Sequence, residues 1–306
     1  MQPASEHNLH TIVYLAYKLD SSKYQAILSI YTLYHQLAED NANFQFIIYS
    51  DADTSLFTKY LGALPVKCEV LSKENIKRFR GPHDFVFRIK PHVIQACFAK
   101  YKSNLLYLDT DTFFLRNPRK LLESIKPGRT IMNVEEYDFV DGGVEHLHWF
   151  YQRQALKHHT YTVQGLPTTI PLSTKMWNAG VIGISYADTG LIDEIISLND
   201  KIYENAHIFI VEQFATSYVL QTYSELHSSE DYIEHYWSKE TKNSFDLRIP
   251  LFLKENADIK GAALYRAAFD FALATRPIRT PNNETLLSRV IGRLKVITKV
   301  ARRGHL

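Results

Sequence analysis

Residues 104–118 read NLLYLDTDTFFLRNP. An apolar run from Leu105 to Leu108 ends on two aspartates two residues apart, Asp109 and Asp111, and a second apolar run from Phe113 to Leu115 follows at once. Acidic side chains at the end of a buried strand need a reason to be there, because an ionised carboxylate gives up hydration on burial. At positions i and i+2 of an extended chain the two point to the same side, so both can grip one divalent ion. The alternatives are a turn whose amides the aspartates cap and a phosphate-attacking nucleophile with a neighbouring acid.

The surroundings favour a functional reading. His10–Tyr17, Phe44–Ser50, Val66–Leu71 and Asn104–Asp109 read as strands, and 21–38 and 91–101 have helical apolar spacing, the latter opening with Pro91. Further on, 129–137 and 176–185 read as strands, 191–204 and 211–223 as helices, 232–237 as a short strand, and 253–274 as helical. Strands alternating with helices predict an α/β fold with a mixed, mainly parallel sheet flanked by helices. Ligands of such sheets bind beyond the carboxyl ends of the strands, which is where Asp109 and Asp111 lie. Asp51 and Asp53 share the same spacing but read as strand, turn and helix cap.

The chain has 306 residues, 45% of them hydrophobic and 22% charged, enough to bury a full core. A net charge of +2 does not point to a nucleic-acid partner. Cys68 and Cys97 are too few for a disulfide framework. The first twenty residues lack a basic stretch followed by a long apolar core, and no run of eighteen apolar residues occurs. A cytoplasmic protein is therefore expected. The last 21 residues hold Arg289, Arg293, Lys295, Lys299, Arg302 and Arg303 and no acid, leaving about −4 for the rest, the overall +2 less those six. Leu287, Val290, Ile291, Leu294, Ile297 and Ala301 recur at helical spacing there. Such a basic amphipathic helix either packs on the domain or lies in the plane of an anionic membrane surface, the inner face. The expected organisation is a catalytic domain over 1–250, a helical extension over 251–275, and a linker and basic helix over 276–306.

LLYLDTDTFFLRNP, followed by WNAGVIGIS and then VEQF, resembles the nucleotide-sugar-dependent glycosyltransferases of GT-A fold, family 8 in particular, which includes glycogenin and bacterial lipopolysaccharide glycosyltransferases. The resemblance spans roughly residues 10–240. It implies a Rossmann-like GT-A domain that moves a hexose from a nucleotide diphosphate sugar, UDP-linked as is usual in the family, to a glycan or glycolipid acceptor with retention of configuration. Within it, Asp109 and Asp111 bind Mn²⁺ or Mg²⁺ bridging the donor diphosphate, and His235 in IEHYW is the third ligand. Lys239 would reach the phosphates, with Lys242 its competitor, because the HxxGxxKPW pattern usual in the family is here without its glycine and Pro-Trp. Arg88, ahead of Lys90 because its fork suits phosphate, contacts the donor sugar or diphosphate. Tyr17 would stack on the base, and Asp20 would meet ribose or a base amide. Asn178 of Asn178-Ala179-Gly180 bonds a sugar, and Glu212 and Gln213 flank the anomeric carbon, Glu212 standing where the family has Asp.

Breaking a sugar–diphosphate bond leaves an anionic nucleotide, so a metal and nearby cations at this place make chemical sense. Two other classes fit parts of the pattern. LLYLDTDT also matches the DxDxT of haloacid-dehalogenase phosphatases, with Asp109 as nucleophile, but about a hundred residues of α/β chain precede it and no matching downstream acidic motif follows. A nucleotide-sugar-binding protein without catalysis is the other.

Overall fold

The computed structural model describes residues 10–38, 44–140 and 147–276. The chain begins with β1 (His10–Leu15), α1 (Asp20–Leu37), β2 (Phe44–Ser50), α2 (Ser55–Leu61), β3 (Val66–Val70), α3 (Lys73–Arg80), α4 (Ile89–Tyr101) and β4 (Asn104–Leu108). It continues through β5 (Thr112–Phe114), α5 (Arg119–Glu123), β6 (Arg129–Met132), β7 (Glu135–Asp138), α6 (Leu147–His158), β8 (Tyr161–Val163), β9 (Leu166–Thr168), β10 (Lys175–Trp177) and β11 (Val181–Ile184). It closes with α7 (Gly190–Ala206), α8 (Val211–Tyr223), β12 (Glu225–Ser228), β13 (Ile233–His235), α9 (Lys239–Glu255) and α10 (Gly261–Thr275). The basic amphipathic helix and its linker, expected over 276–306, lie outside the described residues except for Arg276.

The described chain forms two compact units, one from residues 10–134, 179–189 and 224–276, the other from 135–178 and 190–223. The first holds a seven-stranded sheet in the order β12-β6-β11-β4-β1-β2-β3. The pairs β12/β6, β4/β1, β1/β2 and β2/β3 are parallel, and β11 runs antiparallel to both β4 and β6. This is the mixed, mainly parallel α/β sheet that the alternation predicts. β1, β2 and β4 are buried along almost their whole length. Helices cover both faces of such strands, so they read as continuous apolar runs rather than as alternation.

Helix α1 is the hub of this unit. Ala26, Ile27, Leu28, Ile30 and Leu33 are fully buried, which fits a helix that is apolar round most of its circumference. It packs against β5, α9 and α10, and Leu264, Ala268 and Ala272 of α10 join its core. The helices expected as an extension after 250 thus belong to the first unit's core. In the second unit α7 and α8 pack together and α8 lies on β10. There Ser217 Oγ accepts from Trp177 N at 2.9 Å and Gln221 Nε2 donates to Lys175 O at 2.7 Å.

Several boundaries differ from the sequence reading, each for a local reason. The strand expected over 129–137 is two, β6 and β7, because the chain changes partners after Met132: β6 pairs with β11 and β12, β7 with β10. The run 176–185 likewise divides into β10 and β11 around Asn178-Ala179-Gly180. The helix expected over 253–274 is the end of α9 and all of α10, with a break ended by Gly261 at φ 58°. Helix α9 starts at Lys239, where Ser238 caps it by accepting from Thr241 N, and it runs through Pro250. Helix α3 begins on another serine cap, Ser72 accepting from Asn75 N. The hairpin β8/β9 turns at Gln164 and Gly165, both at positive φ, as a tight primed turn requires.

Phe245 of α9 is fully buried, stacked 3.9 Å from Tyr236 and edge-on to Phe271 of α10. Phe245→Ala is expected to lower the stability of the first unit by about 3–5 kcal/mol, read from the denaturant midpoint. A loss below about 1 kcal/mol would show that α9 does not pack there.

Candidate active site

The motif Asp109-Thr110-Asp111 is the bend between β4, at the centre of the sheet, and β5. Its conformation is clamped at every residue. Asp109 N donates to Gly180 O at 2.8 Å and Thr112 Oγ1 donates to Asp109 O at 2.8 Å. Thr110 Oγ1 donates to Gln25 Oε1 at 2.8 Å, and Gln25 Nε2 in turn donates to Asp246 Oδ1 on α9 at 2.5 Å. Tyr236 N donates to Asp111 O at 3.0 Å. Phe113 and Phe114, directly after the motif, are fully buried, so the apolar run anchors the far side of the bend as its sequence suggests.

The short pairing of β5 with β13 sets His235 opposite Thr112, one residue from Asp111. His235 Nε2 lies 3.3 Å from Asp111 Oδ1. One donor atom from each of Asp109, Asp111 and His235 falls within 4.8 Å of the others. The expected trio is therefore assembled, and a glycine makes room for it. A Cβ on Gly180 would stand 2.2 Å from His235 Nδ1, so the glycine of Asn-Ala-Gly admits the imidazole.

Two ammonium groups complete the cluster. Lys90, at the start of α4, places Nζ 3.2 Å from Asp109 Oδ2 and 3.0 Å from Ala179 O. Tyr107 donates its hydroxyl to Asp109 Oδ1 at 3.0 Å. Lys242, in the first turn of α9, places Nζ 2.6 Å from Asp111 Oδ2. Asp111 is 6% exposed. Burial alone would push its carboxyl up, but His235 and then Lys242 outweigh that and hold it well below the usual carboxylate range. Burial pulls the Lys242 ammonium down, and Asp111 more than reverses this, leaving its pKa raised.

The other basic and aromatic candidates are placed differently. Of the pair Arg88 and Lys90, it is Lys90 that reaches the acidic motif. The Arg88 guanidinium donates to Phe79 O at 2.9 Å and to Arg78 O at 3.3 Å, at the C-terminal end of α3. Lys239 is the exposed first residue of α9, and Lys242, nearly a turn further on, makes the contact with Asp111. Tyr17 follows β1, its hydroxyl pKa raised by burial, with Arg80 and Asp84 near it. Asp20 opens α1, exposed, 3.9 Å from Lys23 Nζ. Lys23 is a buried ammonium that also meets Asp51 at 3.0 Å, while Asp53 accepts from Ser55 N at 3.1 Å. The second Asp-x-Asp is thus a turn-fixing pair, as read.

In the second unit Asn178 Nδ2 donates to Glu136 Oε1 at 2.9 Å and Gln213 Nε2 to Glu136 Oε2 at 2.8 Å. Asn178 and Gln213, far apart in sequence, therefore share one carboxylate that the sequence reading did not single out. Glu212 is 3% exposed within the first turn of α8, where Thr216 Oγ1 donates to its backbone carbonyl at 2.9 Å. The signal for Glu136 was the density of acids on its short strand, Glu135-Glu136-Tyr137-Asp138. Trp237, beside His235, is 59% exposed, whereas Tyr236 faces inward onto Phe245.

No family model matches the sequence, and no curated protein does. Solved structures do show likeness. Mouse xyloside xylosyltransferase 1 is 14% identical over 72% of this chain and 84% of its own, with a TM-score of 0.48. A galactosyltransferase, LgtC, in complex with donor and acceptor sugar analogues is 12% identical over 68% of this chain and 70% of its own, with a TM-score of 0.47. A putative glucose-1-phosphate thymidylyltransferase from Bacillus anthracis is 9% identical over 84% of this chain and 99% of its own, with a TM-score of 0.42.

Gly180→Ala is expected to cost about 1–3 kcal/mol, the usual range for overpacking, because its methyl must displace the His235 ring. Chemical denaturation measures this. A change within about 0.5 kcal/mol would mean that the imidazole does not lie against residue 180.

Proposed function

We propose that the chain is a GT-A-type glycosyltransferase that moves a hexose from a nucleotide diphosphate sugar, UDP-linked, to a glycan or glycolipid acceptor with retention. One observation supports this above all: two carboxylates and an imidazole gathered within 4.8 Å at the carboxyl end of the central strand of a mainly parallel sheet, with an ammonium on each carboxylate. The donor set fits a divalent ion. Hard carboxylate oxygens with one imidazole suit Mn²⁺, and Mg²⁺ less so. Asp109, Asp111 and His235 would hold it, and when bound it supplies Lewis-acid stabilisation of the departing diphosphate.

The rest of the reaction is assigned to the chain's own side chains. Lys90 and Lys242 bring positive charge to the diphosphate. Arg88 and Lys239 are the further cations we assign to donor binding. Tyr17, in the loop after β1, and Asp20, which opens α1, take the base and ribose. In the second unit Asn178 and Gln213, oriented by Glu136, bond the sugar hydroxyls, and Glu212 steadies positive charge at the anomeric carbon. The phosphatase alternative is not favoured. It needs Asp111 to give up a proton as a general acid, whereas Lys242 Nζ lies 2.6 Å and His235 Nε2 3.3 Å from that carboxyl, partners that suit a carboxylate.

For location we propose a cytoplasmic protein whose basic tail, residues 286–306, associates with anionic lipid at the inner membrane face. Among the described residues no helix is long and apolar enough to cross a membrane.

A panel of nucleotide sugars tested for thermal stabilisation with Mn²⁺ is the direct experiment. At a hundred times Kd the true donor adds about 2.7 kcal/mol, or about 5 °C in a chain of this size. Chelation and Asp109→Asn should each abolish the shift. A shift that persists in Asp109→Asn would overturn the metal role of that residue. For the tail, vesicles containing phosphatidylserine should sediment the full chain but not a chain ending at Thr285, and vesicles without phosphatidylserine should sediment neither; equal sedimentation of the two chains by the anionic vesicles would remove the membrane proposal.

A further inference from the structure

We propose that Lys242 is an internal counter-ion that exchanges between Asp111 and the diphosphate of the donor, so that divalent-cation binding and diphosphate binding become mutually dependent. The inference rests on the metal-site reading above and concerns how that site is loaded.

Its basis is the charge balance of the cluster. Lys90 pairs with Asp109 at 3.2 Å and Lys242 with Asp111 at 2.6 Å. The two carboxylates and the two ammonium groups together sum to zero. A divalent cation bonded to Asp111 must therefore share that carboxylate with an ammonium already on Oδ2. Asp111 is buried, so water and salt screen the repulsion between the two cations only weakly.

The two lysines are not equally free to yield. The Lys90 side chain is 10% exposed and its ammonium is also held by Ala179 O at 3.0 Å. The Lys242 side chain is 41% exposed, on a flexible four-carbon stem rooted in the first turn of α9. It is the group that can swing outward. After exchange the cluster carries a surplus of two positive charges, which the diphosphate balances, and the released ammonium meets the phosphate oxygens. Without the cation, by contrast, a Lys242 drawn to phosphate would leave Asp111 buried beside another anion with one partner fewer. Each ligand thus removes a cost that opposes the other. By reciprocity the factor by which the cation tightens the diphosphate equals the factor by which the diphosphate tightens the cation.

The test is Mn²⁺ binding to the full chain, followed by the electron paramagnetic resonance signal of free Mn²⁺, with and without UDP, together with UDP binding by calorimetry. In the unaltered protein, UDP should tighten Mn²⁺ by about tenfold or more, the equivalent of about 1.4 kcal/mol. Lys242→Gln should bind Mn²⁺ alone about tenfold tighter yet bind UDP in the presence of Mn²⁺ about tenfold weaker, so that the mutual factor shrinks. These changes have opposite signs, whereas a merely structural defect would weaken both. Lys242→Arg should restore the original pattern. If Lys242→Gln leaves Mn²⁺ affinity unchanged or weakened while Asp109→Asn still removes Mn²⁺ binding, the exchange is overturned and the metal site stands. If the unaltered protein binds no Mn²⁺ with or without UDP, the metal site itself is wrong and the exchange falls with it.

Discussion

A carboxylate that is 6% exposed costs several kcal/mol unless oppositely charged or donor groups surround it, and Asp111 is that carboxylate. Much of the local architecture serves to bring it partners. The pairing of β5 with β13 has only three residues on each strand, too short to be stable alone, yet it sets His235 on one oxygen. The Ser238 cap fixes where α9 starts, and that start sets Lys242 on the other. Gly180 supplies the space in which the imidazole fits. A rigid acidic site follows from satisfying one buried charge, because each partner comes from a different, firmly packed element.

Helix α1 shows how the same core supports several loops at once. It is buried over most of its surface, yet it carries Lys23, Gln25, Ser29 and Thr32, each with little or no exposure. Buried polar groups must be paired, and each of these is paired to a different piece of the carboxyl edge. Lys23 reaches Asp51 and the carbonyl of Asp53. Gln25 joins Thr110 to Asp246. Ser29 lies between Tyr14 and Thr112. Thr32 accepts from Phe114 N at 3.1 Å. Strands β1 and β5 and the loops after β2 and β4 are thus referenced to one helix, which gives the site its positional precision.

How much of this could be read in advance depended on scale. β1, β2 and β4 were legible because burial on both faces writes itself as an apolar run, and α1, α7 and α8 because helical spacing persists over several turns. β5, β8 and β9 are three residues long, too short for any periodicity. The divisions β6/β7 and β10/β11 are changes of pairing partner, which no local pattern records. At the site, the acids and the histidine were legible through their motif and order. Which of Arg88 and Lys90, or of Lys239 and Lys242, lies against the acidic motif was not: it depends on which side chain a helix start directs inward, and Arg88 is drawn to carbonyls at the end of α3. Gln25 and Glu136 looked like ordinary polar positions because their partners lie far away in sequence.

Glu136 bears on what the amides beside it can do. A carboxylate only accepts, so an amide next to it must present its nitrogen. Asn178 and Gln213 both do so, at 2.9 and 2.8 Å, and their carbonyl oxygens are consequently turned away from Glu136. An amide left to itself turns either end toward a ligand; these two have that choice removed by one shared negative charge. A ligand on the carbonyl side would meet acceptors, which suit hydroxyl groups as donors, and that orientation is fixed within the protein itself. Preorganisation of this kind lowers the ordering cost of binding. It also explains why an acidic residue on a short strand is of more use here than a third amide, which could not enforce the orientation of the other two.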